Sequence, residues 1–253
     1  MKTKIIAFAN HKGGVGKTTT TASVGSILAS KGYKVLVIDL DAQANLTASL
    51  LKEEQEEPLF YKALTGRNPG TPAIPIVPIS DNLHIVPSSL ELAVAEMELV
   101  GVMSREKILA DLLDPVQDKY DYILIDCPPS LGLLTQNAFA ASNNIIIPLV
   151  AEVLPFRGLT MINKFTDQVQ TRLNPSAHIS GILITRWEAT NLTRQIDSRL
   201  REQLGSLVFS TRIRKNITIA AAPLESKNIM EYAPKSNGAI DYQDFTEELL
   251  RTI

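Results

Sequence analysis

A glycine-rich loop with two lysines, close to the N-terminus, constrains this fold more than any other part of the sequence. It reads Asn10-His11-Lys12-Gly13-Gly14-Val15-Gly16-Lys17-Thr18-Thr19. The common phosphate-binding pattern G-x-x-x-x-G-K-[ST] fails because His11 occupies its first glycine position. The variant K-G-G-x-G-K-T fits, and it carries one extra lysine, Lys12. Such a loop joins a strand to a helix, so it predicts a strand–loop–helix unit at the start of the chain.

The residue types of this loop suit a bound polyphosphate. Glycines let the backbone N–H groups approach phosphate oxygens, and a helix N-terminus favours an anion. Lys17 can lie against the terminal phosphates, and the Thr18 hydroxyl can ligate Mg²⁺. We therefore predict a phosphate site formed by Lys12, Gly13, Gly14, Val15, Gly16, Lys17, Thr18 and Thr19. The competing interpretation is a glycine-rich turn whose lysines are merely solvated.

The segments around and after the loop alternate between strand-like and helix-like patterns. Lys4–Ala9 predicts the strand before the loop, and residues 20–31 predict the helix after it, which Gly32 ends. Further strands are predicted at Lys34–Asp39, Asn82–Val86, Tyr122–Asp126, Asn144–Leu149 and His178–Thr185. This alternation predicts an α/β fold of the P-loop NTPase type, with a mostly parallel twisted sheet and helices on both faces. We expect residues 1–253 to form a single domain.

Composition sets the outer limits of the interpretation. The chain has 253 residues, of which 45% are hydrophobic and 21% charged, as in an ordinary globular protein. Cys127 is the only cysteine, which excludes an intrachain disulfide and a multi-cysteine cluster site. No run of about 18 apolar residues occurs, so we expect no membrane-spanning segment and a cytoplasmic location.

Three aspartates follow apolar strand-like segments and belong with the loop. Asp39 and Asp41 stand two residues apart, which places both carboxylates on one side if the extended geometry continues. Asp126 ends Tyr122–Asp126 in the position that holds Mg²⁺ through its water shell in P-loop NTPases. An aspartate at the end of a strand is about as often a turn former, so each one alone is a weak signal.

Three other segments are expected to be structural. Lys52–Glu57 is acidic and is interpreted as a solvated helix end, and Pro69–Pro78, with four prolines, as an extended surface connection. Ser88–Val100 has the pattern of an ordinary amphipathic helix.

With these motifs in place, the chain resembles the ParA/Soj-type partition ATPases, in the deviant Walker A class that also contains MinD. The resemblance extends over nearly the whole chain. It is carried by the order and spacing of four segments, namely residues 12–19, Asp39-Leu40-Asp41-Ala42-Gln43, Asp126-Cys127-Pro128-Pro129-Ser130-Leu131-Gly132 and residues 225–238.

The resemblance implies a role for each motif residue. Lys12 is the signature lysine that contacts the nucleotide of the other subunit in an ATP-bound homodimer, and Asp41 orients the attacking water. Lys17 completes the catalytic set with Lys12 and Asp41, while Thr18, Asp39 and Asp126 form the Mg²⁺ set. A single chain could use Lys12 only as a surface charge. The implied cofactors are ATP and Mg²⁺, and the implied partner is a ParB-like centromere-binding protein.

One departure from the family pattern concerns the base end of the nucleotide. Relatives usually have Ile-Pro-Arg-Asn where this chain has Ile213-Arg214-Lys215-Asn216, so Arg214 replaces the proline. This segment lies near the adenine in relatives, which makes Asn216 and Arg214 candidate nucleotide-binding residues. The departure therefore bears on nucleotide preference and not on hydrolysis.

Binding to DNA depends on local charge, because the formal net charge of the chain is −2. Between Arg186 and Lys235, nine basic residues stand against five acidic ones. With the resemblance, this window predicts non-specific contact with DNA phosphates and no base readout. The candidate residues are Arg194, Arg201, Arg212, Arg214, Lys215, Lys227 and Lys235. Without an N-terminal helix-turn-helix, sequence-specific operator binding is not expected, and the ATP-bound form is expected on the nucleoid.

Three other classes compete with this interpretation. A MinD-like membrane-positioning ATPase needs a basic amphipathic C-terminal helix, whereas residues 239–253 are acidic. An iron–sulfur reductase of the nitrogenase iron-protein type needs two cysteines in each chain for its shared cluster. A metabolic P-loop ligase acting on a small carboxylate would use the same phosphate loop, and it remains open as an alternative.

Overall fold

An eight-stranded sheet organises the chain. The computed structural model describes residues 2–51, 57–67, 73–152 and 155–253. Its strands are β1 (Lys4–Phe8), β2 (Val35–Asp39), β3 (Val77–Pro78), β4 (Leu83–Val86), β5 (Tyr122–Asp126), β6 (Asn144–Val150), β7 (Ile179–Trp187) and β8 (Val208–Arg214). Their order across the sheet is β3-β4-β2-β5-β1-β6-β7-β8. Every neighbouring pair is parallel except β3 and β4, which confirms the predicted mostly parallel sheet.

Helices connect these strands. They are α1 (Lys17–Ser30), α2 (Asn45–Leu50), α3 (Leu59–Leu64), α4 (Leu92–Glu98), α5 (Ile108–Leu113), α6 (Leu133–Ala141), α7 (Pro155–Arg172), α8 (Asn191–Leu204), α9 (Ile217–Ala221), α10 (Ile229–Tyr232) and α11 (Asn237–Thr252). None of the helices in the described ranges combines the length and apolarity needed to cross a bilayer.

Two hydrophobic cores lie on opposite faces of the sheet. Side chains alternate along a strand, and in β1 Ile5 and Ala7 join one core whereas Ile6 and Phe8 join the other. All four side chains are buried. A sheet that buries both faces needs helices on both, so the predicted layering is confirmed.

The predicted strands are found with ends shifted by up to two residues, and Tyr122–Asp126 has the predicted bounds. The helix α1 begins at Lys17, three residues earlier than predicted. Its C-terminal glycine is as expected, because Gly32 has a φ of 91° and donates its N–H to the Ala29 carbonyl at 3.0 Å. The strand β8 was not predicted.

The segment Ser88–Val100 is less helical than its pattern indicates. Its α-helix covers only Leu92–Glu98, and Leu92 and Ala95 are buried. Met97, by contrast, is 68% exposed, so the apolar face is only partly covered.

The other two structural expectations fall largely outside the described residues. Of Lys52–Glu57, only Glu57 is described, so a helix end there is not tested. Of Pro69–Pro78, residues 73–78 are described, and they end in the short strand β3, which pairs with β4 in the antiparallel sense.

Helix α11 covers the edge strand β8 with carboxylates. Glu248 accepts the N–H groups of Ser210 and Thr211 at 2.6 and 2.8 Å. Two helical turns earlier, Asp241 accepts the N–H of Arg214 at 2.8 Å. These bonds satisfy backbone donors that an edge strand would otherwise present to solvent.

Candidate nucleotide-binding site

The loop between β1 and α1 is held in an open curve by its glycines. Gly14 and Gly16 have φ angles of 70° and 86°, a region that side chains with a Cβ rarely adopt. The Thr185 hydroxyl at the end of β7 donates to the Val15 carbonyl at 2.8 Å. At the start of the loop, the Asn10 carboxamide oxygen accepts the Lys12 N–H at 3.1 Å. The loop is therefore anchored at both ends before any ligand binds.

A cavity of about 920 Å³ lies against this loop. The predicted residues that line it are Gly13, Gly14, Gly16, Lys17, Thr18, Thr19, Asp41, Arg214, Lys215, Asn216 and Lys227. The fold thus brings the phosphate loop and the predicted base-end segment together, although they are about 200 residues apart in sequence. The size falls in the range of small-molecule and cofactor sites.

Lys17 is the buried cation of the cavity. Its side chain is almost fully buried, and its ammonium donates to the Lys12 carbonyl at 3.1 Å. Burial lowers the pKa of Lys17, while the charge on Asp126 acts in the opposite direction. A cation that is desolvated in this way gains strongly from a phosphate brought beside it.

Asp39 and Asp126 lie side by side at the carboxyl ends of β2 and β5, as register partners. Both side chains are fully buried. Burial raises the pKa of Asp126 well above its ordinary value, the charge on Asp39 raises it further, and the nearby Thr18 hydroxyl lowers it in part. Burial also raises the pKa of Asp39 to about 6, although the hydrogen bonds that this carboxylate accepts from Thr47 act to lower it.

The carboxylates of Asp39 and Asp126 differ in the hydrogen bonds that they accept. Asp39 accepts the N–H of Thr47 at 2.8 Å and its hydroxyl at 2.7 Å. Neither oxygen of Asp126 accepts a hydrogen bond of ordinary geometry from the residues that the structure describes. A buried carboxylate without a partner, next to a second one, fits a divalent cation.

The donor set also indicates which cation suits the site. Within the described ranges, His, Cys, Asp and Glu side chains nowhere form a cluster of three or more able to hold a metal. Mg²⁺ keeps several waters and binds through one or two carboxylates together with phosphates of the substrate. Thr18, Asp39 and Asp126 therefore fit Mg²⁺ better than a metal that needs a full cage of protein ligands.

Asp126→Asn will make the nucleotide-free protein more stable and remove its response to Mg²⁺. The amide carries no charge, so the cost of an unpaired buried carboxylate disappears, and the melting temperature should rise by about 3 °C or more at neutral pH. Because its pKa is raised on folding, Asp126 makes the folded state less stable as the pH rises above the ordinary pKa of an aspartate, and the advantage of the variant should grow with pH in that direction.

The measurement is thermal unfolding in EDTA, with ATP, and with ATP and Mg²⁺. The extra stabilisation that Mg²⁺ adds to ATP should be lost in Asp126→Asn and retained in Asp118→Asn, a surface control. A lower melting temperature, or an intact Mg²⁺ effect, would contradict the assignment.

Asp41 lies outside the buried pair. The extended geometry of β2 ends at Asp39, so the i, i+2 spacing does not keep the two carboxylates in one environment. Asp41 is partly exposed, lines the cavity, and accepts the N–H of Gln43 at 3.0 Å. The Ser88 hydroxyl fixes its backbone by donating to the Asp41 carbonyl at 2.6 Å. Asp39 is thus buried beside Asp126, and Asp41 lines the cavity.

Lys12 stands apart from the cavity of its own chain. It is not among the described residues that line the cavity, and its ammonium lies 3.6 Å from the Glu152 carboxylate. Both side chains are about half exposed, so this ion pair contributes little, about 0–1 kcal/mol at most. The Lys12 side chain can therefore leave Glu152 at little energetic cost.

The predicted DNA-binding residues do not form one uniform surface. Asp197, which is buried, pairs with Arg201 at 2.9 Å and also with Arg212, whose guanidinium lies 5.0 Å from the centre of the Trp187 ring. Arg194 and Lys235 are exposed. Arg201 and Arg212 therefore have structural partners, which leaves the exposed residues as better candidates for DNA contact.

Lys215 and Lys227 lie on the cavity side of this region. Lys215 pairs with the half-exposed Glu188 at 2.5 Å, and both lysines line the cavity. Arg214 lines it as well, and its side chain pairs with Asp241 at 2.6 Å.

Sequence reasoning missed several residues that shape the site. Thr47 satisfies Asp39, Thr185 anchors the loop, and Tyr242 places its hydroxyl 3.2 Å from that of Thr20 while lining the cavity. Each lies far along the chain from its partner or in an ordinary helix pattern. Only the acidic character of residues 239–253 hinted that α11 carries charges that matter.

Comparison with known proteins agrees with this geometry. The profile of a family described as an AAA domain matches residues 3–179. The sporulation initiation inhibitor protein Soj of Bacillus subtilis is 40% identical over 248 residues, which cover 97% of this chain and 98% of Soj.

Two solved structures are similar over nearly the whole chain. A putative plasmid partition protein from Borrelia burgdorferi, bound to AMPPNP, has a TM-score of 0.85 at 26% identity and covers 100% of both chains. Cobyrinic acid a,c-diamide synthase from Mycobacterium smegmatis, with bound ADP and magnesium, has a TM-score of 0.83 at 33% identity, covering 98% of this chain and 94% of that one.

The similarity to Soj over nearly the full length of both chains leads to one conclusion. The chain belongs to the Soj/ParA family of chromosome-partitioning ATPases.

Proposed function

We propose that this protein is a cytoplasmic, Mg²⁺-dependent ATPase switch that segregates DNA. In this proposal two copies enclose ATP, and each supplies Lys12 to the nucleotide of the other. The ATP-bound homodimer binds DNA without sequence preference on the nucleoid, and a ParB-like partner together with DNA accelerates hydrolysis and releases it. The cargo is a chromosome, a plasmid or a mobile element.

The residues of the cavity support binding of ATP with Mg²⁺. The loop amides and the ammonium of Lys17 can hold the phosphates, since the loop residues that line the cavity are Gly13, Gly14, Gly16, Lys17, Thr18 and Thr19. Thr18, Asp39 and Asp126 would hold Mg²⁺, which neutralises charge on the phosphates. Asp41, at the cavity wall, is placed to accept a proton from a water or to orient it.

One observation carries the proposal: Lys17 is buried in the cavity of its own chain, whereas Lys12, five residues earlier, is half exposed and outside it. Phosphoryl transfer depends mainly on positioning and on charge stabilisation, which a cation from a second subunit can supply. A loop with one internal and one external lysine suits an enzyme that becomes active on dimerising.

The C-terminal helix favours DNA over membrane as the surface to which the protein binds. A MinD-like anchor needs an apolar helix face that is free to enter lipid. In α11 the apolar side chains Tyr242, Phe245 and Leu249 are buried in a hydrophobic core. Its exposed side carries Asp244, which anionic headgroups repel.

A second candidate is a ligase that activates a small carboxylate with ATP. The 33% identity to cobyrinic acid a,c-diamide synthase favours it specifically. Such an enzyme would use the same phosphate loop and metal site but would gain nothing from DNA. ATP hydrolysis with and without duplex DNA and a ParB-like partner peptide separates the two functions, since only the partition ATPase should be accelerated.

The ATP-bound form should bind duplex DNA at least about tenfold more tightly than the ADP-bound form, because only a dimer doubles the basic surface. Fluorescence anisotropy can measure the affinity for a DNA duplex of arbitrary sequence. The protein is loaded either with a nonhydrolysable ATP analogue or with ADP, and the titration is repeated at several salt concentrations. Replacing Arg194 and Lys235 together with alanine should lower both the affinity and the salt dependence.

The matched control is Lys164→Ala, which removes an exposed lysine of α7 outside the basic window. Its DNA affinity should equal that of the wild type. Equal DNA binding by the analogue-bound and ADP-bound forms would overturn the partition function.

A further inference from the structure

Helix α11 packs beside the nucleotide cavity and contacts two of the elements that form its wall. Tyr242 lines the cavity, and its hydroxyl lies 3.2 Å from that of Thr20 in α1. Asp241, the preceding residue, contacts Arg214 at the end of β8, and Arg214 lines the cavity. The helix therefore holds a cavity-lining arginine through a carboxylate that is not itself part of the wall.

Three N–H groups of Arg214 donate to the Asp241 carboxylate. The carboxylate accepts the backbone N–H of Arg214 at 2.8 Å, its Nε at 3.0 Å and its Nη2 at 2.6 Å. The side chain of Asp241 is 8% exposed, so the pair is shielded on the acidic side. Bidentate pairing of this kind fixes the plane of the guanidinium as well as its position.

Arg214 keeps free surface despite this pairing. Asp241 takes the Nε and Nη2 edge, which leaves the two flat faces of the guanidinium and its Nη1 group. The Arg214 side chain is 45% exposed and lines the cavity, next to Asn216. Asn216 is itself fixed, because its carboxamide oxygen accepts the N–H and the hydroxyl of Thr218 at the start of α9.

We propose that Arg214 is a specificity-determining residue that stacks its guanidinium on the base of the bound nucleotide, and that Asp241 is the positioning residue that holds it there. The inference rests on the proposed function, since it concerns the same ATP site. Guanidinium groups stack on aromatic rings, and every purine has such a face. A flexible arginine loses entropy on stacking, and the clamp by Asp241 removes most of that cost before the ligand binds.

The competing explanation is that the ion pair only fastens α11 to β8. Glu248 offers a matched comparison, because it also fastens α11 to β8, through the N–H groups of Ser210 and Thr211, but it does not contact Arg214 or line the cavity. If the role were purely structural, loss of either carboxylate should have the same effect on nucleotide binding.

Calorimetry should be used to measure the affinity for ATP and for inorganic tripolyphosphate, each in the presence of Mg²⁺. The proteins to compare are the wild type, Arg214→Ala, Arg214→Lys, Asp241→Asn and Glu248→Gln. Tripolyphosphate lacks a base, so it reports the phosphate loop alone. Arg214→Ala and Arg214→Lys should weaken ATP binding about tenfold and leave tripolyphosphate binding unchanged, since lysine keeps the charge without the plane. Asp241→Asn should act in the same direction, and Glu248→Gln should change neither affinity.

Thermal unfolding without nucleotide identifies variants that are damaged in folding. If Asp241→Asn unfolds at the assay temperature, the two Arg214 variants decide the question. Unchanged ATP binding in Arg214→Ala, or equal weakening of ATP and tripolyphosphate, overturns the inference. A wild type that binds ATP but never dimerises contradicts the proposed function, and it leaves the Arg214 comparison valid.

Discussion

Lys12→Ala should bind ATP with nearly wild-type affinity yet remain a monomer and lose turnover. The variant keeps the buried Lys17, the loop glycines and the aspartates, which are the groups at the cavity of its own chain. It loses only a half-exposed cation that pairs weakly with Glu152. A cation delivered by a second molecule accelerates phosphoryl transfer by about 10³-fold or more, so hydrolysis should fall by a similar factor.

Three measurements together test this expectation. Light scattering with Mg²⁺ and a nonhydrolysable analogue gives the mass, calorimetry gives the affinity for ATP, and phosphate release gives turnover. Lys164→Ala should dimerise and hydrolyse ATP like the wild type, whereas Lys17→Ala should fail already at nucleotide binding. A Lys12→Ala protein that reaches dimer mass normally would remove the basis for a shared active site.

Asp41→Ala should dimerise normally with ATP, unlike Lys12→Ala, but should likewise hydrolyse little ATP. Asp41 lines the cavity and is partly exposed, and its carboxylate accepts only the short-range N–H bond of Gln43 among the bonds that the structure describes. Removing it should not disturb the buried pair of Asp39 and Asp126. A general base or water-orienting residue contributes about 10²–10⁴-fold, so turnover should drop by that factor.

The dimer of this variant should persist after ATP is added, because the hydrolysis that releases it is slow. Size-exclusion chromatography over time, with phosphate release in parallel, makes the comparison with wild type. Asp118→Asn, at an exposed position, is the control. If Asp41→Ala hydrolyses ATP at the wild-type rate, the assignment of Asp41 as the residue that orients the water is wrong.

Local patterns were sufficient to predict the framework of the site. Buried parallel strands are continuous apolar runs, which is why Tyr122–Asp126 has the predicted bounds. The loop glycines permit the positive φ angles that are observed at Gly14 and Gly16. These features depend on residues that are close in sequence, so the sequence displays them directly.

Features that depend on distant partners could not be predicted in the same way. Asp197 lies 15 residues from Arg212, and Asp241 lies 27 residues from Arg214, yet these pairs decide which arginines are free. The charge count of the window treated all nine basic residues alike. The strand β8 was missed because three consecutive polar residues, Ser210, Thr211 and Arg212, interrupt its apolar pattern. The backbone N–H groups of Ser210 and Thr211 bond to Glu248 of α11, a distant partner that the local sequence does not reveal.

The two outer strands of the sheet have a consequence for how copies of this protein can assemble. At one side β3 is only two residues long and includes Pro78, and at the other the N–H groups of Ser210, Thr211 and Arg214 are already bonded to carboxylates of α11. Among the residues that the structure describes, neither border offers a free ladder on which another chain could extend the sheet into a fibre. Open-ended polymerisation through the sheet edges is thereby disfavoured, which is compatible with the closed and reversible pair that we propose.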